Sequence, residues 1–167
     1  LLVNGTGMTI LCTDTKVMAH LPLTLHPNPK SILVICFGMG STFRAAAAHP
    51  VNVTAVELQP AVPEAFGYFH PDGPALLKDP KNRIRVGDGR NFLLVSNERY
   101  SVITIDPAPP MHSAGTVNLY TREFFELCRD HLEPNGIISL WIPNDSCTEA
   151  DFKLIVRTFH SVFPNIQ

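Results

Sequence analysis

Between Ser31 and Leu58 the chain reads SILVICFGMGSTFRAAAAHPVNVTAVEL. The apolar run Ile32 to Ile35 meets a turn holding Gly38 and Gly40, a small-residue segment from Thr42 to His49 follows, and a second apolar run, Val53 to Val56, ends on Glu57. Strand, glycine turn, helix, strand and acid is the order of a nucleotide-binding βαβ unit. Glycines let the backbone approach a ligand closely, and Phe37 and Leu58, flanking the turn and the acid, are expected with Gly38 and Gly40 among the cofactor-binding residues. Glu57, about 20 residues beyond the turn, is placed to accept from both hydroxyls of a ribose.

The rest of the chain repeats the alternation. Ala61 to Phe69 is expected as a short helix after Pro60, and 70–82, rich in Pro, Gly and Asp, as a loop. Ile84 to Val86 makes a third strand that ends at Gly87-Asp88-Gly89, and a helix follows over 90–96. Tyr100 to Ile105 makes a fourth strand ending at Asp106, and the proline-laden segment 107–119 is expected to be irregular. Thr121 caps a helix to Leu132 with Phe124, Phe125, Leu127 and Cys128 on its apolar side, and Asn135-Gly136 ends it. Ile137 to Ile142 is the fifth strand. Thr148 to Phe163 is an amphipathic helix with Phe152, Ile155, Val156 and Phe159 inward.

Five short, nearly all-apolar strands alternating with helices predict an α/β fold, a Rossmann-like doubly wound and mostly parallel sheet covered on both faces. A short N-terminal β lead-in precedes it. Asn4-Gly5 favours a hairpin turn, and Asp14 caps a helix whose inner face is Val17, Met18 and Leu21 until Pro22 interrupts it. The prolines in His26-Pro27-Asn28-Pro29 set the boundary, giving a lead-in over 1–27 and a nucleotide-binding domain over 28–167.

Composition narrows the partners. Net charge is -2 with no basic block, so the electrostatic footprint of a nucleic-acid binder is missing, and no apolar run reaches the roughly 20 residues that cross a bilayer. The expected partners are small molecules, with no nucleic acid and no membrane contact by this segment. Four widely spaced cysteines form no CxxC pair, and the seven histidines form no ligand spacing, so no metal is expected. The histidines are read as surface or capping residues, with His112 the one near the site. The cysteines are expected to be reduced thiols in a cytoplasmic setting, and no leader pattern is seen.

Ligands of open α/β sheets lie beyond the carboxyl ends of the strands. Three of those ends carry acids, Glu57, Asp88 and Asp106, beside the glycine turn. Asp88 is placed to accept from the exocyclic amine of adenine, with Gly89 leaving room for the ring. Asp106 is placed to deprotonate a nucleophile or to attract a cation. Phe124-Phe125 is read as core, and Tyr120 as a structural tyrosine or one bonding near the ligand.

The segments MAHLPL, HPNPKSILVI, TAVEL, RVGDGRNFLL, YSVITID and LYTREFFELC resemble the spermidine synthase family of aminopropyltransferases in order and spacing. The resemblance implies a class I S-adenosylmethionine-dependent methyltransferase-type fold behind a small β domain. It implies transfer of an aminopropyl group from decarboxylated S-adenosylmethionine to a small-molecule amine acceptor, without a metal. It places the ribose on Glu57, adenine on Asp88 and Gly89 beneath a loop with Ser113, Ala114 and Leu119, and amine activation on Asp106. A homodimer through the lead-in is also implied.

There are departures. Met39 stands where the family turn GGGDGG has its Asp, Pro109 where the family's DSSDP has its second Asp, and Thr15 and Val17 where it has the Tyr and Glu of YQEM. The family continues into two more strands beyond this chain's end, which implies a C-terminal truncation. Three readings stand: a synthase-like transferase, a methyltransferase using intact S-adenosylmethionine, and a non-catalytic nucleotide-binding domain. The variant pattern resembles domains attached to membrane segments, which implies a membrane-attached parent with this domain in the cytosol.

Overall fold

The computed structural model describes residues 2–3, 6–7, 11–107, 114–143 and 147–165. An antiparallel pair comes first, β1 (Leu2–Val3) and β2 (Thr6–Gly7), while Asn4-Gly5, read as a hairpin turn, lies outside the described residues. Five further strands form one parallel sheet: β3 (Ser31–Ile35), β4 (Asn52–Glu57), β5 (Asn82–Val86), β6 (Tyr100–Ile105) and β7 (Leu132–Leu140). Their spatial order is β5-β4-β3-β6-β7, so strand order reverses between β3 and β6. That is the doubly wound arrangement, with its ligand crevice at the reversal.

Strand periodicity divides the core in two. Ile32 and Val34 of β3 point to one face and Leu33 and Ile35 to the other, all fully buried. On the first face they join Val53 and Ala55 of β4 and Val102 of β6. This face is covered by α1 (Asp14–Leu25), α2 (Ser41–Ala47) and the short helices α3 (Ala61–Glu64) and α4 (Phe66–Phe69). The other face meets α6 (Gly89–Val95), α8 (Arg122–Asp130) and α9 (Glu149–Val162), which bury Leu93, Phe124, Phe125, Cys128, Ile155 and Val162. Phe124 and Phe125 are core residues, as expected. Burial pushes the Cys128 thiol far up, so it packs as an inert apolar group.

Several expectations need correction. The helix at 14–25 has Thr13 rather than Asp14 in the N-cap position, without a side-chain capping bond, and continues through Pro22. It buries Ala19, Pro22 and Leu23, while Val17 and Leu21 are exposed at 44% and 54%. A helical proline orphans the carbonyl four residues earlier, here Met18. The Ser139 hydroxyl of β7 donates to that carbonyl at 3.1 Å, so the missing bond is replaced from the sheet. Ser139→Ala is therefore expected to cost about 1–2 kcal/mol in urea denaturation. Most of that loss should vanish in the Pro22→Ala background, where the helix makes its own bond. An equal loss in both backgrounds would refute the replacement.

The loop expected at 70–82 contains a helical turn, α5 (Gly73–Leu76), and 107–119 contains α7 (Ala114–Val117), followed by a 3-10 turn over Asn118–Tyr120. Asn135-Gly136 does not end the helix. α8 stops at Asp130, and the dipeptide sits inside β7 at a register shift, with Asn135 at φ 65°. β5 is an edge strand, exposed at Arg83, Arg85 and Val86, so the all-apolar rule fails there. α9 starts with a capping box formed by Thr148 and Asp151, but Phe152 is 39% exposed and Ile155 and Val162 carry its buried side. His26 and His70 are buried and stand at the C-cap positions of α1 and α4, the capping rather than the surface alternative, and His112 lies outside the described residues.

Candidate active site

The turn after β3 is built for close approach. Gly38 and Gly40 sit at φ 56° and 80°, in the left-handed region that favours glycine. A Cβ on Gly40 would also stand 2.3 Å from the Phe66 ring, so space as well as torsion requires glycine. Below the turn, Phe37 packs its ring on Phe43 and Phe66, both centroids 5.2 Å away. The Phe37 ring thus belongs to the core, and what Phe37 offers the site is its backbone. Met39 is buried at 5% exposure. Cys36, before the turn, also takes a left-handed φ of 73°, an unusual conformation for a side chain with a Cβ.

Glu57 closes the far side. Its Oε2 accepts from the Phe37 N–H at 2.9 Å and its Oε1 from the Gln59 N–H at 3.0 Å. Each oxygen of an ionised carboxylate has a further acceptor site, so the group is held rigidly with one lone pair per oxygen left over. That arrangement fits a vicinal diol, which brings two donors side by side. Leu58 follows, exposed at 56%, an apolar surface at the rim of the crevice.

Asp88 sits two residues beyond β5. Its Oδ1 accepts from the Asn91 N–H at 2.8 Å, so it caps α6, and its Oδ2 has no protein donor among the described residues. Gly89 is required by packing against β3, because a Cβ there would come within 2.6 Å of Ile35. The expectation that Gly89 clears space for a ring therefore has a simpler cause.

Asp106 follows β6, its N–H donating to the Ile35 carbonyl at 3.2 Å. No described residue donates to its carboxylate, and desolvation pushes the carboxyl up to about 6. Tyr120 lies close enough for Asp106 to raise its phenol further, after burial as the main cause. The Tyr120 hydroxyl donates to the Trp141 carbonyl at 3.1 Å, which anchors it as a structural residue. Leu119, expected over the ligand, is buried at 7% in the core shared with Phe124 and Phe125. Ser113 lies outside the described residues, as does Pro109, and Ala114 opens α7.

The strand order sets the acids in the sequence Asp88, Glu57, glycine turn, Asp106 along one edge of the sheet. With strands roughly 4.8 Å apart, Glu57 and Asp106 flank a crevice on the order of 10 Å wide, the span of a nucleoside. The direct link between Phe37 and Glu57 was not anticipated, although the 20-residue spacing of strand end and acid is its signal. No group of three or more metal-ligating side chains occurs among the described residues, and no described helix is long and apolar enough to cross a membrane.

An open parallel sheet in this order, with a left-handed glycine turn and a fixed acid after the second strand, defines a domain of the class I methyltransferase type. Human methyltransferase-like protein 13, solved with SAH, shares this fold with a TM-score of 0.70 at 19% identity, over 93% of this chain and 72% of that one. The spermine/spermidine synthase domain model matches residues 11–167, and the chain belongs to that family. It is 31% identical over 151 residues to a polyamine aminopropyltransferase of Thermotoga petrophila, covering 89% of this chain and 51% of the relative. A spermidine synthase solved with the transition state analogue AdoDATO superposes with a TM-score of 0.81 at 29% identity, over 91% of this chain and 52% of that one. The chain thus spans about half the length of the relatives it matches.

Proposed function

We propose that this chain is a spermidine synthase-like transferase domain. It binds an adenosyl sulfonium nucleotide, decarboxylated S-adenosylmethionine or S-adenosylmethionine, and passes an alkyl group, the aminopropyl group of the decarboxylated form, to a small amine. The observation that carries this reading is the Glu57 carboxylate, fixed by the Phe37 and Gln59 N–H groups with one acceptor site open on each oxygen. A ribose diol satisfies both. Family membership and the AdoDATO-bound relative support the same ligand class.

Each residue then has a task. Gly38 and Gly40 bring bare backbone to the ligand, Asp88 offers Oδ2 to the adenine amine, and exposed Leu58 gives the ring an apolar surface. The reaction is an in-line displacement beside a sulfonium. The amine lone pair forms the new C–N bond while the C–S bond breaks, its electron pair stays on sulfur as a neutral thioether, and the nitrogen's proton passes to Asp106. A carboxyl titrating near 6 is ionised at neutral pH yet basic enough to take that proton. Positioning supplies the rest of the rate. Met39, buried and uncharged where the family places an Asp, removes one carboxylate from the side that holds cations.

Calorimetry with decarboxylated S-adenosylmethionine, intact S-adenosylmethionine and methylthioadenosine tests the proposal. The expected result is binding of all three, tightest for the decarboxylated form, with methylthioadenosine released when an amine is added. Absence of binding to any of the three would overturn it.

A further inference from the structure

A cavity lies at the end of the sheet opposite the glycine turn, where Ser31 and Asn52 begin β3 and β4. Its volume is about 470 Å³, within the range of small-molecule sites. The helix that follows β5, α6, is only 7 residues long. Thr54, Ser31 and the buried Tyr100 bring hydroxyl groups to the lining.

Its charge is one-sided. Lys81, Arg83 and Arg99 line it with a single acid, Glu98. Arg83 is locked in place, Nη2 donating to Glu98 Oε2 at 2.7 Å and to Thr54 Oγ1 at 3.0 Å. The Tyr100 hydroxyl donates to the same Glu98 oxygen at 3.0 Å. With Nη1 also donating to Glu98 Oε1 at 3.4 Å, the Arg83 Nε–H and one Nη1 hydrogen are left free of those bonds. Arg99 donates to the Leu132 carbonyl at 3.1 Å, and neither its guanidinium nor the Lys81 ammonium is ion-paired among the described residues, although the Lys81 N–H donates to Asp79 Oδ1 at 2.9 Å. Arg85, on the same face of β5, adds to the positive potential that holds the Glu98 carboxyl below its usual range, after Arg83 as the main cause.

Charges on an edge strand ordinarily serve to block strand addition. Here the cations converge from the start of β5, from β5 itself and from the loop before β6, on one concave surface with hydroxyls in it. We infer that this cavity binds a small doubly charged oxyanion, such as a phosphate monoester, between Lys81, Arg83 and Arg99, apart from the nucleotide crevice. The cations supply charge-assisted donors, of which the Arg83 fork is already oriented.

An NMR titration with inorganic phosphate at pH 8, against chloride at matched ionic strength, tests it. Saturable amide shifts are expected around Lys81, Arg83, Arg99 and Tyr100, and none at Gly38 to Gly40. The Lys81→Ala/Arg99→Ala protein should bind phosphate at least about tenfold more weakly, the loss of one to two charged hydrogen bonds. Glu98→Gln should bind it severalfold more tightly, because it removes the internal anion that competes for Arg83. Both sites of change are solvent-accessible, so the folds should survive, and the nucleotide affinities of both variants should equal wild type. Shifts that do not saturate, that map to the glycine turn, or that are unchanged in Lys81→Ala/Arg99→Ala would overturn the inference.

Discussion

Asp106→Asn is expected to abolish turnover and, at the same time, to make the protein more stable at neutral pH. The carboxyl sits at the end of β6, partly exposed but largely desolvated and without a donor among the described residues, and its pKa rises from 3.8 to about 6. A group that holds its proton more tightly in the folded chain lowers stability as pH rises between those two values. The full deficit persists above the higher one. At 1.36 kcal/mol per unit it amounts to at most about 3 kcal/mol at pH 7. Asn has nearly the same shape and no charge, so thermal unfolding should shift upward at pH 7 and hardly at all near pH 4. Turnover should fall by about 10²- to 10⁴-fold, the usual contribution of a general base. Nucleotide affinity should stay within about threefold, because a carboxylate acting as base contributes little to ground-state binding. In the wild type, kcat/KM should rise with pH through about 6, since the base works only when ionised. A fully active Asp106→Asn protein would exclude Asp106 as the base, and a destabilised one would contradict its desolvation.

The sheet was legible in the sequence because its signals are local and strong. Apolar runs mark β3, β4 and β6, and the acids at their ends fall where strand order makes them neighbours. What was not legible depends on distant partners. Nothing within α1 tells that Ser139 supplies the bond Pro22 forfeits, and so the helix was expected to break and its inner face was misassigned. Phe37 looked like a ligand-side residue by position. Phe43 and Phe66 draw its ring into the core, leaving only the N–H toward Glu57. Gly89 likewise looked like space for a ligand until β3 placed Ile35 against it. The edge position of β5 is a matter of topology, and the basic residues along it acquire meaning only beside Tyr100 and Glu98 from the next turn of the chain.

Glu57→Ala is expected to remove nucleotide binding altogether at accessible concentrations. Two effects add. A carboxylate that accepts two ribose hydroxyls contributes roughly 1.5–3 kcal/mol per charged hydrogen bond, so its loss weakens binding by about 10²- to 10⁴-fold. The same substitution frees the Phe37 N–H, which Glu57 fixes at 2.9 Å, and with it the turn that carries Gly38 and Gly40. Glu57→Gln separates the two effects. Its amide oxygen can still accept from Phe37 and hold the turn, but its NH₂ group gives up the bond from the Gln59 N–H and offers a second hydroxyl a donor where an acceptor is needed. It should therefore fold as the wild type does and bind about tenfold to a hundredfold more weakly, with affinity for ribose-lacking adenine compounds unchanged. Equal affinities of Glu57→Gln and wild type for methylthioadenosine would show that the diol does not sit on this carboxylate. Since Glu57 bridges the turn after β3 and the start of the next loop, the order of effects, Ala far worse than Gln, is what distinguishes an acid that binds the ribose and shapes the turn from one that does either alone.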